Sequence, residues 1–71
     1  MNPSRDQEIE REAYAMFKQY GTTLAIEKAN DFINEAKLSI KNLDHYNAEY
    51  VDSKEHEIYY WMGVSERINR F

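Results

Sequence analysis

The sequence predicts an all-α fold of three helices, and three observations predict it. Apolar residues recur at steps of three and four in three separate stretches. Helix-boundary signals fall between those stretches. Two Gly and one Pro in 71 residues leave little of the punctuation that a turn-rich β design needs. The chain, 8.5 kDa and 42% hydrophobic against 31% charged, reads as one small globular domain over 1–71.

The first helix begins near Ser4. Ser4 and Gln7 have the spacing of a capping box, in which each side chain satisfies the other residue's free backbone N–H. Asp6, Glu8, Glu10 and Glu12 crowd its first turns, where the helix dipole favours negative charge. Ile9, Ala13, Met16 and Tyr20 share one face, with Phe17 beside them, and Gly21 supplies the stop.

The second helix starts at Thr22 or Thr23, either of which can cap it. Ile26, Ala29, Ile33, Ala36, Ile40 and Leu43 form its stripe, widened by Ala25 and Phe32. Lys37 and Lys41 suit its C-terminal end, and it should stop near Asn42 to Asp44.

Residues 44–52 show no sustained period. They read as an acidic connector, or as a continuation of the second helix through Tyr46 and Tyr50, since no Pro or Gly blocks one. Asp52 and Glu55 have box-like spacing, so the third helix is placed from about Ser53 to the C-terminus. Ile58, Trp61, Val64, Ile68 and Phe71 form its stripe. Ile33, Ala36, Ile40, Trp61 and Ile68 are expected in the core.

The stretch Phe-Lys-Gln-Tyr-Gly (17–21), the helix Ala-Ile-Glu-Lys-Ala-Asn-Asp-Phe-Ile (25–33) and the ending Tyr-Trp-Met-Gly-Val-Ser-Glu-Arg-Ile (60–68) carry a resemblance. The chain resembles short uncharacterised helical proteins of gut-bacterial phages and their Bacteroides-type hosts, departing from them at Gly63 and Arg67. The resemblance implies an accessory protein of a phage or mobile element and brings no site residue with it.

Several functions lack their residues. The absence of Cys removes a thiol nucleophile, a disulfide scaffold and Cys-based zinc sites. No Gly-rich phosphate loop and no Gly-x-Ser-x-Gly elbow is present. His45 and His56 lie eleven residues apart and form no helical ligand pair. Asp44 to Glu55 has the length of a calcium loop, but Tyr46, Ala48 and Glu49 stand where oxygen ligands and the turn Gly belong. We therefore expect no enzyme, no cofactor and no metal.

A net charge of −4 and a pI near 5.0 argue against nucleic acid as a partner. The longest mainly apolar run, Ile58 to Val64, is far short of the ~20 residues of a membrane span. The N-terminal Met-Asn-Pro-Ser-Arg-Asp-Gln-Glu has no apolar core of a signal peptide, so a cytoplasmic location is expected.

What remains is surface. With each stripe turned inward, Tyr14, Leu38 and Tyr59 point about 160° away from Met16, Ala36 and Trp61, and Met62 lies ~100° from Trp61. Gly63 falls on the outward side with Tyr59 by the same angular count, leaving room for another backbone or ring. Tyr14, Leu38, Tyr59, Met62 and Gly63 are thus the candidate protein-binding residues. The expected function is a non-catalytic interaction module that self-associates or binds another protein. The alternative is an acidic, phage-borne inhibitor that occupies a basic site on a host protein.

Overall fold

A computed structural model describes residues 4–71 and shows the all-α, three-helix domain. α1 spans Arg5–Tyr20, α2 Thr22–Lys41 and α3 Ala48–Arg70. Met1, Asn2 and Pro3, part of the reading against a signal peptide, lie outside the described residues.

α1 starts at the capping box: Gln7 N–H donates to Ser4 Oγ at 3.3 Å, and Ser4 N–H donates to Gln7 Oε1 at 3.1 Å. Gly21 closes it and opens α2 in a single residue. Its N–H donates to Phe17 O, and its own carbonyl accepts from Ala25 N–H. Gly21 does this at φ +80°, ψ 174°, a conformation open essentially to Gly alone. Neither Thr22 nor Thr23 caps α2, because both already lie within its first turn; Gly21 is the cap residue. No atom waits within 4 Å of a side chain at Gly21, so the penalty of substitution is backbone strain alone. Gly21→Ala is expected to cost about 1–3 kcal/mol in urea unfolding; an unchanged midpoint would contradict this backbone requirement.

α3 begins five residues earlier than the sequence pattern indicates. Asn47 caps it, accepting from Tyr50 N–H at 3.1 Å, so the link between α2 and α3 shrinks to residues 42–47. The acidic connector is therefore mostly helix. Only Asp44 stays in the link, while Glu49, Asp52, Glu55 and Glu57 ride on the first turns of α3. Asp52 is no cap: it sits mid-helix beside His56 one turn on, Oδ2 to Nε2 at 3.4 Å.

The helices run up, down and up. α1 lies parallel to α3: Arg5 donates to His56 O at 3.0 Å, Ile9 faces Gly63, and Phe17 meets Phe71 with ring centroids 5.4 Å apart. Arg67 ties the two helices further, donating to Glu10 Oε1 at 2.9 Å and Asp6 Oδ1 at 3.3 Å. At ~1.5 Å per residue, α1 is roughly 24 Å long and α3 roughly 35 Å. Because Arg5 is already level with His56, the first two turns of α3 project past α1 with only α2 beside them.

That offset sets the core. Ile9, Ala13, Met16, Ala25, Ala29, Val64 and Ile68 form it where all three helices meet. Ile33, Ala36 and Ile68 are buried as the stripes indicate, but Ile40 and Trp61 are only half-buried. Ile40 lies toward the projecting end of the α2–α3 pair, beyond the reach of α1. Trp61 is too large for a centre built on alanines and lies at its edge. Among the described residues, only Ile68 and Val64 are large and fully enclosed.

Tyr60 packs against this core with Arg5 over its ring, 5.3 Å from the centroid. Burial first, then Glu12 and Glu8, push its hydroxyl above the ordinary tyrosine range. Above pH 10.0, the folded chain therefore keeps a proton that the unfolded chain has lost, and stability falls as pH rises. Urea unfolding on either side of that pH should show the decline, and Tyr60→Phe should reduce it. Equal slopes in the two proteins would contradict the assignment.

Candidate functional site

None of the ten aromatic side chains is buried. They ring an alanine-rich centre. Six of these rings, of a kind that elsewhere supplies much of a core's apolar area, are exposed, and Phe17, Tyr20, Tyr60 and Trp61 are half-buried. The fold measures 40 × 32 × 15 Å between Cα atoms, and exposed rings line two of its surface grooves.

The outer face of α3 carries the first. Tyr59, 67% exposed, and Met62, 51% exposed, flank a shallow groove of about 530 Å³ whose other wall is Asn30 and Ile33 of α2. Ile58 and Glu55 extend the face toward the start of α3, and Ser65 and Glu66 toward its end. Glu66 is paired with Arg70 on the next turn.

Among the five candidate residues, the structure brings Tyr59, Met62 and Gly63 to this groove and leaves two elsewhere. Tyr14 stands against Phe71 at the far end of the α1–α3 pair, centroids 6.0 Å apart and edge-on, with Lys18 Nζ 5.8 Å from its ring centre. Leu38 is exposed on the outside of α2, about 140° round from Ile33, and does not line the groove.

Gly63 differs from its expected placement. It is half-buried, and a Cβ built on it would sit 3.2 Å from Ile9 Cδ1, 3.4 Å from Ile9 Cγ2 and 3.5 Å from Arg67 Nη1. Its missing side chain thus lets α1 approach α3. The helical angle alone put it on the open side because α1 covers α3 further round than the apolar stripe indicates.

The second face was not legible in the sequence. α1 and α2 border a groove of about 440 Å³ lined in part by Met16, Phe32 and Trp61. Phe32 and Trp61 stack at 4.4 Å with planes 21° apart, and Tyr60 meets Trp61 edge-on at 5.1 Å. Glu12, Asp31 and Glu35 stand on the rim. Lys28 is also there, with its ammonium 4.7 Å from the centre of the Tyr20 ring. The spacing of Phe32 marked it as a flank of the α2 stripe, and that of Trp61 marked it as core. Only the crossing of the helices stacks one on the other.

Among the described residues, no three His, Asp or Glu side chains gather as a metal-binding group, and no helix is long and apolar enough to cross a membrane. Compared with protein-family models, curated proteins and solved structures, the chain matches none.

Proposed function

We propose that this chain is a non-catalytic protein-interaction module that self-associates through the outer face of α3. The observation that supports the reading is that six of the ten aromatic rings are exposed, Tyr59 among the most open of them. Interfaces are enriched in aromatic residues and Met, which combine large contact area with few rotors. Tyr59 and Met62, adjacent and more than half exposed, are such a pair on the middle of the longest helix.

The charges beside them shape the expected behaviour. An antiparallel pairing of two α3 helices centred between Tyr59 and Met62 brings Glu66 of each copy to Glu55 of the other. Apolar contact thus works against like charge at its edges, and the association should be weak and should strengthen with salt, which screens the repulsion. Static light scattering should show the mass rise from 8.5 kDa with concentration, more so at high salt. Tyr59→Glu should keep its helicity and stay monomeric, because the side chain is largely exposed. A variant that associates as wild type does would remove Tyr59 from the interface.

A second reading, an acidic inhibitor seated on a basic site of another protein, draws on the rim of Glu12, Asp31 and Glu35. It predicts the opposite salt dependence: binding that weakens as salt is added.

A further inference from the structure

We infer that the α1–α2 groove is a docking site for a basic amphipathic helix of a different protein, resting on the interaction reading above and naming the partner of the second face. The groove has three properties that together select this occupant.

Met16, Phe32 and Trp61 give it an apolar, aromatic stretch of lining. Phe32 remains 44% exposed although one ring face lies on Trp61, so an apolar side chain laid along the groove would cover surface now facing water. Its shape is open and elongated. The α1 wall, from Glu12 to Tyr20, is roughly 12 Å long, and the antiparallel α2 wall runs from Lys28 to Glu35. Such a trough suits a helix laid along it, with anchors one turn apart, better than an enclosed small molecule.

Its rim is acidic. Glu12, Asp31 and Glu35 form no ion pair with another described residue, and the one rim cation, Lys28, lies over Tyr20. Glu8, one turn before Glu12, adds to the negative potential around Tyr60, which in turn meets Trp61 edge-on. Lys or Arg side chains flanking the apolar anchors of the incoming helix would find these carboxylates, and Arg could also stack on the ring faces.

The same charges exclude the rival occupants. A nucleic acid or an anionic membrane surface meets a rim of its own sign. A second copy offers no suitable helix: α1, α2 and α3 carry net charges of −1, 0 and −2. The partner is therefore heterologous, and its bound helix is net positive.

Trp61 is the sole tryptophan and lines the groove, which gives a direct reporter. The test is a titration of the full chain with a tryptophan-free peptide of leucine and lysine at helical spacing, followed by Trp61 emission. A matched leucine and glutamate peptide serves as the control. The expected result is a saturable change in emission with the lysine peptide alone, weakening as salt rises. The triple variant Glu12→Gln, Asp31→Asn, Glu35→Gln should weaken binding about tenfold. Asp44→Asn, Glu49→Gln, Asp52→Asn, exposed acids outside both grooves and with the same change in net charge, should weaken it no more than about twofold.

Silent Trp61 emission, equal binding of the glutamate peptide, or an equal loss in both triple variants would overturn the assignment. So would loss of self-association in the groove variant, which would make the occupant a second copy. Failure here with concentration-dependent mass intact removes this inference alone. Peptide binding with a mass fixed at that of the monomer removes the α3 interface alone.

Discussion

Ile68→Ala is expected to leave the chain largely unfolded at room temperature. Among the described residues, Ile68 is one of two large side chains that the fold encloses completely, and it lies where all three helices meet. Truncating a buried Ile to Ala costs about 2–5 kcal/mol, from lost transfer energy and the cavity left behind. A single core in a chain of this size supplies roughly 3–5 kcal/mol in total. The neighbouring core residues are already small — Ala13, Ala25 and Ala29 — so little can collapse into the space. Far-ultraviolet circular dichroism with urea titration reads the effect directly. A loss below about 1 kcal/mol would mean that the core lies elsewhere.

The second large effect is at Gly63. Gly63→Leu is expected to destabilise by about 1–3 kcal/mol, by driving a branched side chain into Ile9 and prising α1 from α3. Gly63→Ala should act in the other direction. Gly inside a helix costs ~1 kcal/mol against Ala. The one tight neighbour of the new methyl, at 3.2 Å, is the far end of the Ile9 side chain, which can turn aside. A gain of a few tenths of a kcal/mol should remain. The two variants thus differ in sign, and thermal melts of both decide it. Leu tolerated as well as Ala would place Gly63 on open surface, where the helical angle alone had put it.

The helical stripes made much of this fold legible, and tertiary contact set the rest. The boundaries of α1 follow from chemistry within a few residues of each end: Ser4 with Gln7, and Gly21 with its positive φ. The start of α3 does not. Its first two turns project past α1 and face only α2, so they need no broad apolar stripe, and a polar run with a single Asn cap resembles a loop. The outer face of α3 was partly legible, because Tyr59 and Met62 point away from Val64 and Ile68 by simple angular count. The groove between α1 and α2 was not. Glu12 belongs to one helix and Asp31 and Glu35 to another, and no spacing within either reveals that the acids share a rim above a stacked pair of rings.

Amide chemical shifts followed across a dilution series test most directly that the outer face of α3 is the self-association surface. Concentration-dependent shifts are expected at Glu55, Ile58, Tyr59, Met62 and Glu66, growing with salt, while Ala15, Asp31 and Phe32 stay constant. Shifts that do not change at any amide up to the solubility limit, or that change around Phe32 and leave Tyr59 unmoved, would contradict it.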